Sequence, residues 1–93
     1  MITLWIISYD ISNDKIRRKV SRHLQDHGNR VQYSVFECRL NNQQLNDLRM
    51  EVSAMIDPET DTIRWYPLCH WCETKINWQG NGKKTDANNY YII

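Results

Sequence analysis

Asp10 closes the apolar run Ile2-Thr3-Leu4-Trp5-Ile6-Ile7-Ser8-Tyr9 and is followed at once by a basic segment, so one carboxylate leaves a strand beside a cluster of positive charge. Metal-assisted phosphodiester chemistry needs that combination: an oxygen ligand for a hard divalent cation, and cations that hold phosphates. Strand-to-helix turns also favour Asp for structural reasons alone, as a cap or as the partner of a nearby arginine. Asp14 could assist Asp10, although a carboxylate in the first helical turn already has a structural role there. No general base stands out. His23 and His27 share a helix face at i, i+4 but lie roughly three turns beyond Asp10, where solvated or core-edge positions are the simpler reading.

A second group of reactive side chains is Cys69-His70-Trp71-Cys72. A structural zinc takes four ligands and no second Cys pair follows, so the segment reads as a packed turn or a redox-sensitive pair, with two half-sites meeting across a dimer as the remaining route to a metal. Cys38 lies in an apolar strand and reads as core. Three cysteines, an odd number, argue against a secreted disulfide scaffold.

The net charge of +1 conceals an asymmetry. Residues 15–30 hold Lys15, Arg17, Arg18, Lys19, Arg22 and Arg30 against Asp26, whereas residues 41–63 hold Asp47, Glu51, Asp57, Glu59 and Asp61 against Arg49. One face is therefore phosphate-seeking and another is not, with a plain solvated helix face as the structural alternative. No segment reaches the apolar length of a membrane span, and residues 1–9 lack the pattern of a signal peptide, so a soluble, cytoplasmic protein without a membrane partner is expected.

The elements that must position these residues follow from periodicity. Bulky apolar residues at both parities make residues 2–7 a strand covered on both faces, central in its sheet. Ser12 or Asn13 can cap a helix reaching about residue 27, with Ile16, Val20 and Leu24 as its apolar stripe and Gly28-Asn29 as its stop. Val31 to Leu40 reads as strand, with a possible break at Gln32-Tyr33-Ser34. A second helix after Asn41 or Asn42 carries Leu45, Leu48, Val52 and Met55/Ile56 and ends at Asp57-Pro58. Thr62 to Leu68 and Thr74 to Trp78 read as strands, Gly80 to Lys84 as a loop, and Tyr90-Tyr91-Ile92-Ile93 as a short strand that needs a sheet to join.

This order predicts a ferredoxin-like α+β sandwich: two helices on one face of an antiparallel sheet, with an extra C-terminal strand. Residues 1–78 form that domain, and residues 79–93 form a loop and strand for assembly contacts. A single domain of 93 residues buries only about 60 to 65 % of its unfolded surface. Four Trp and five Tyr in so small a core point to a homodimer that covers the helix-free face.

The Ser8-Tyr9-Asp10-Ile11 strand exit, the Asn13-Asp14-Lys15-Ile16-Arg17-Arg18-Lys19-Val20 helix start, the block from Gly28 through Tyr33-Ser34-Val35-Phe36-Glu37-Cys38, and Tyr66-Pro67-Leu68-Cys69 together resemble the small CRISPR-associated protein of the adaptation module, the dimeric partner of the CRISPR integrase. The resemblance covers residues 1–78; residues 79–93 carry no such signature. It implies a ferredoxin-like homodimer that bridges integrase dimers and holds double-stranded prespacer DNA during spacer acquisition in antiviral defence. It also implies, as the alternative, a divalent-metal-dependent endonuclease acting on RNA or double-stranded DNA. Asp10 would then bind Mg2+ or Mn2+ across the dimer axis, with Tyr9 beside it in the catalytic centre. Arg17, Lys19, Arg30, Ser34 and Phe36 fall on motif positions near that site. Arg17, Arg18, Lys19 and Arg30 are the nucleic-acid-binding candidates, and Ser34 and Phe36 the structural ones. Lys19 stands where an Arg is frequent, which replaces a bidentate fork by a point charge. A toxin-like ribonuclease of related fold, acting without the integrase, is the third and weaker possibility.

Overall fold

The structure is a computed structural model that describes residues 1–82. Lys83, Lys84, the Tyr90-Tyr91-Ile92-Ile93 tail and the extra strand expected there lie outside the described residues. Strand β1 (Thr3–Asp10) lies between β3 (Val35–Leu40) and β4 (Thr62–Leu68), and β2 (Gly28–Gln32) pairs with the far side of β3. All three pairings are antiparallel. Helices α1 (Asp14–Gln25) and α2 (Asn42–Ser53) cover one face, completing the ferredoxin-like α+β sandwich, and a single turn, α3 (His70–Glu73), follows β4.

Local chemistry accounts for the element boundaries. The Asn13 side chain accepts the Ile16 N–H at 3.0 Å and starts α1. Asn41 and Gln44 form a reciprocal capping box at α2, each side chain accepting the other's backbone N–H at 2.8 Å. The strand after α1 does split into a hairpin, with a register shift between Arg30 and Gln32. It begins earlier than its β-branched residues indicate. Gly28 is not the stop of α1 but the first residue of β2, opposite Cys38, and α1 ends at Gln25 with Asp26 as its cap. Gly28 is required by close approach, not by backbone conformation: a Cβ there would lie 2.1 Å from the Glu37 carbonyl oxygen and 2.6 Å from the Cys38 sulfur. The expected strand at Thr74–Trp78 does not form. Thr74 caps α3, Lys75 continues its turn, and residues 76–79 hold no regular structure.

The strand alternation sorts the side chains. Trp5, Ile7 and Tyr9 from β1, Phe36, Cys38 and Leu40 from β3, and Ile63 and Trp65 from β4 pack with Val20, Leu24, Leu45, Leu48 and Val52 of the helices. The other face carries Leu4, Ile6, Ser8 and Asp10, flanked by Val35, Glu37 and Arg39 on one side and Thr62, Arg64, Tyr66 and Leu68 on the other. An ion pair from Arg39 to Glu73 holds α3 to this face. No helix among the described residues is long and apolar enough to cross a membrane.

Cys38 donates its thiol to the Leu24 carbonyl at 3.8 Å, and burial, with a smaller contribution from neighbouring Glu37, pushes its pKa up to about 12. The folded state therefore keeps a proton that the unfolded chain, at an ordinary 9.0, gives up. Stability from this group is full below pH 9 and declines as pH rises toward 12, by up to about 1.4 kcal/mol per pH unit. Urea unfolding at stepped alkaline pH should show a steeper decline for the wild type than for Cys38→Ala; parallel curves would refute the assignment. Gly28→Ala should lower stability by about 3 kcal/mol, because the obstructing atom is backbone and cannot swing aside. An unchanged urea midpoint would show that β2 can shift.

Candidate nucleic-acid interface

Tyr9 and Asp10 are consecutive strand residues and so leave the sheet on opposite faces. Tyr9 is buried on the helix side, its ring stacked on Phe36 with centroids 6.2 Å apart. Its backbone N–H reaches the Ser34 carbonyl at 3.1 Å, which fixes the hairpin turn against the end of β1. The Arg30 guanidinium lies 5.4 Å from the centroid of the Phe36 ring and hydrogen-bonds the Ser21 hydroxyl of α1. Arg17, one turn before Ser21, donates to the Ile11 carbonyl at 3.0 Å and to the Ser12 carbonyl at 3.5 Å. It also pairs with Asp14 and lies 6.0 Å from the centroid of the Tyr33 ring. The hydrogen bond that Arg17 donates to Asp14 is the largest influence raising the Arg17 pKa above its already high ordinary value, so this cation is permanent.

These side chains surround an open cavity of about 260 Å³ lined by Tyr9, Asp14, Arg17, Arg18, Ser21, Arg30 and Tyr33. Three guanidinium groups against one carboxylate make it an anion site, and the exposed Tyr33 ring at its rim offers a stacking surface. Among the nucleic-acid-binding candidates, the structure brings Arg17, Arg18 and Arg30 together with Tyr9, while Lys19 is exposed outside the lining. Ser34 and Phe36 act beneath the cavity, one through its carbonyl and the other as a fully buried platform. Ser21 and Tyr33 were absent from the sequence-derived site. Ser21 was recoverable from its i+4 spacing to Arg17, whereas Tyr33 depends on where the hairpin turns.

Asp10 ends β1 on the helix-free face, exposed, opposite Thr62 of β4. No cation pairs with it among the described residues. Nor do the described residues contain a group of three or more Asp, Glu, His or Cys side chains able to hold a metal ion. Asp14 lies in the arginine cavity and does not join Asp10. His23 pairs with Glu51 at 2.8 Å, tying α1 to α2, which accounts for it structurally.

A family model described as "CRISPR associated protein Cas2" matches residues 1–76. A protein of Synechocystis sp. named "CRISPR-associated endoribonuclease Cas2 3" is 39% identical over 90 residues, covering 97% of this chain and 98% of the relative. Among solved structures, a hypothetical protein, TT1823, from Thermus thermophilus superposes with a TM-score of 0.82 at 34% identity, covering 92% of this chain and all of the other. A chain of a partial Cas6-RT-Cas1–Cas2 complex superposes with a TM-score of 0.72 at 30% identity, covering 88% of each.

Proposed function

The chain belongs to the CRISPR-associated Cas2 family, and from that premise we propose that it is the adaptation subunit that bridges integrase dimers and holds double-stranded prespacer DNA. The observation that supports this most is the cavity on the helix side, where Arg17 and Arg30 are held by protein partners before any ligand arrives and Arg18 adds a third cation. Phosphate contacts of that kind position a duplex without reading its sequence, as capture of arbitrary DNA requires. A structural relative found within a complex named for Cas1 and Cas2 supports the integrase partnership.

A homodimer through the helix-free face completes this reading. Ile6, Val35, Tyr66 and Leu68 give that face an apolar surface that neither α1 nor α2 covers, and Tyr66 is 45% exposed. Stacking two such sheets would bury these side chains and bring the two Asp10 residues to one interface.

Asp10 also favours the second reading, a metal-dependent nuclease. It is an exposed carboxylate with no cation partner among the described residues, at the end of a central strand, and the Synechocystis relative is named an endoribonuclease. A hard carboxylate oxygen open to solvent fits Mg2+ or Mn2+, which complete their shells with water, and the two Asp10 residues of a dimer would hold the ion. When bound, such an ion would supply an activated water and stabilise the leaving oxygen. Tyr9 cannot share that centre within its own chain, because its ring lies beneath the opposite face. It serves instead as a packing partner of Phe36 and a wall of the arginine cavity.

Asp10→Asn should reduce magnesium-dependent cleavage by at least about a hundredfold while dimerisation and spacer acquisition persist, since the amide is nearly isosteric but a far poorer ligand. Cleavage retained by the variant would remove Asp10 from the chemistry, and acquisition lost with it would make the carboxylate part of the architecture. Arg17→Ala combined with Arg18→Ala should weaken duplex binding irrespective of sequence. It should also flatten the dependence of log K on log salt by about one to two units. An unchanged slope in fluorescence-anisotropy titrations would return this helix to an ordinary solvated face.

A further inference from the structure

The dithiol at the start of α3 plays no part in the proposed function. Cys69 and Cys72 are both exposed, while Cys38 is buried. The backbone N–H of Cys72 donates to the Cys69 sulfur at 3.4 Å, so the two cysteines are tied together within one turn. The turn is firmly held. Glu73 N–H reaches the Cys69 carbonyl at 2.9 Å, the Thr74 hydroxyl reaches the Trp71 carbonyl at 2.7 Å, and Glu73 pairs with Arg39 of β3. Side chains three apart on such a turn are neighbours, so a disulfide asks for little backbone movement.

We propose that Cys69 and Cys72 form a redox-active dithiol site that takes low-molecular-weight disulfides as its substrate class and closes to an intramolecular disulfide. The Cys69 thiolate attacks one sulfur of the external disulfide, forming a mixed disulfide and expelling a thiolate, which takes up the Cys72 proton. The Cys72 thiolate then attacks the Cys69 sulfur and releases the second thiol, which is protonated from solvent. Two protein thiols are oxidised and one external disulfide is reduced to two thiols. Cys69 is the attacking group because it caps the turn and accepts the Cys72 backbone N–H, the largest influence lowering its pKa.

The test uses the full chain, treated with glutathione disulfide and read by intact mass and by thiol titration. The wild type should lose two hydrogens in mass, with no glutathione retained and no chain-to-chain crosslink. Both exposed thiols should disappear from the titration, while Cys38 reacts only on denaturation. Cys72→Ser should trap glutathione on Cys69, and faster than Cys69→Ser traps it on Cys72. Wild-type protein that keeps both thiols, accumulates two glutathiones or crosslinks between chains would overturn the proposal. So would the reverse order of trapping rates, or zinc retained through these thiols by the reduced protein.

Discussion

One peptide bond separates Tyr9 from Asp10, and because β1 is an extended strand those two side chains must serve opposite faces of the sheet. Most of the molecule's functional layout descends from that constraint. On the helix side, Tyr9 stacks on Phe36, Phe36 underlies Arg30, and Arg30 reaches Ser21 of α1, a continuous column from the sheet to the helix. On the other side, Asp10 stands at the end of a surface that no helix of the sandwich covers. A one-residue slip of β1 would exchange these roles, placing the carboxylate in the core and the ring in solvent. The burial of Tyr9 therefore also fixes where Asp10 points.

The cations of α1 and β2 fall into two physical kinds. Arg17 and Arg30 are tethered, the first to two backbone carbonyls and Asp14, the second to a serine hydroxyl above an aromatic ring. Holding them in the free protein reduces the side-chain entropy lost when a phosphate docks. Arg18, Lys15, Lys19 and Arg22 project into solvent, where they contribute long-range attraction that salt screens. Asp14 weakens the cavity's net charge but holds Arg17 in place, so an incoming anion has to compete with it.

Much of this was legible in the chain because the signals were local. The capping asparagines, the stripe Val20-Leu24, the Leu45-Leu48-Val52 spacing and the mixed-parity run of β1 each specify an element with little outside help, and the ferredoxin-like order follows from them. Failures came where a long-range contact decides. Gly28 next to Asn29 has the composition of a helix stop, yet it is strand because Cys38 and Glu37 lie too close for any side chain. Thr74–Trp78 alternates as a strand should, but it forms a turn at Thr74-Lys75 and no regular structure after it, so alternation alone does not make a strand. The motif positions near Asp10 were legible as a set, but their division between two faces was not, since a motif lists residues along the chain and carries no sign for the face each one takes.

Under the proposed reading, the two faces differ in what they need to function. The arginine cavity is complete within one chain: its lining comes from β1, α1, β2 and the hairpin turn. Among the described residues the Asp10 face offers one exposed carboxylate at the end of β1, and hydrated magnesium held by a single carboxylate is weakly bound and poorly oriented. Any phosphodiester chemistry there belongs to the dimer, whereas phosphate capture belongs to each protomer. On that reading, DNA holding and DNA cutting rest on separate residues at opposite faces of one sheet.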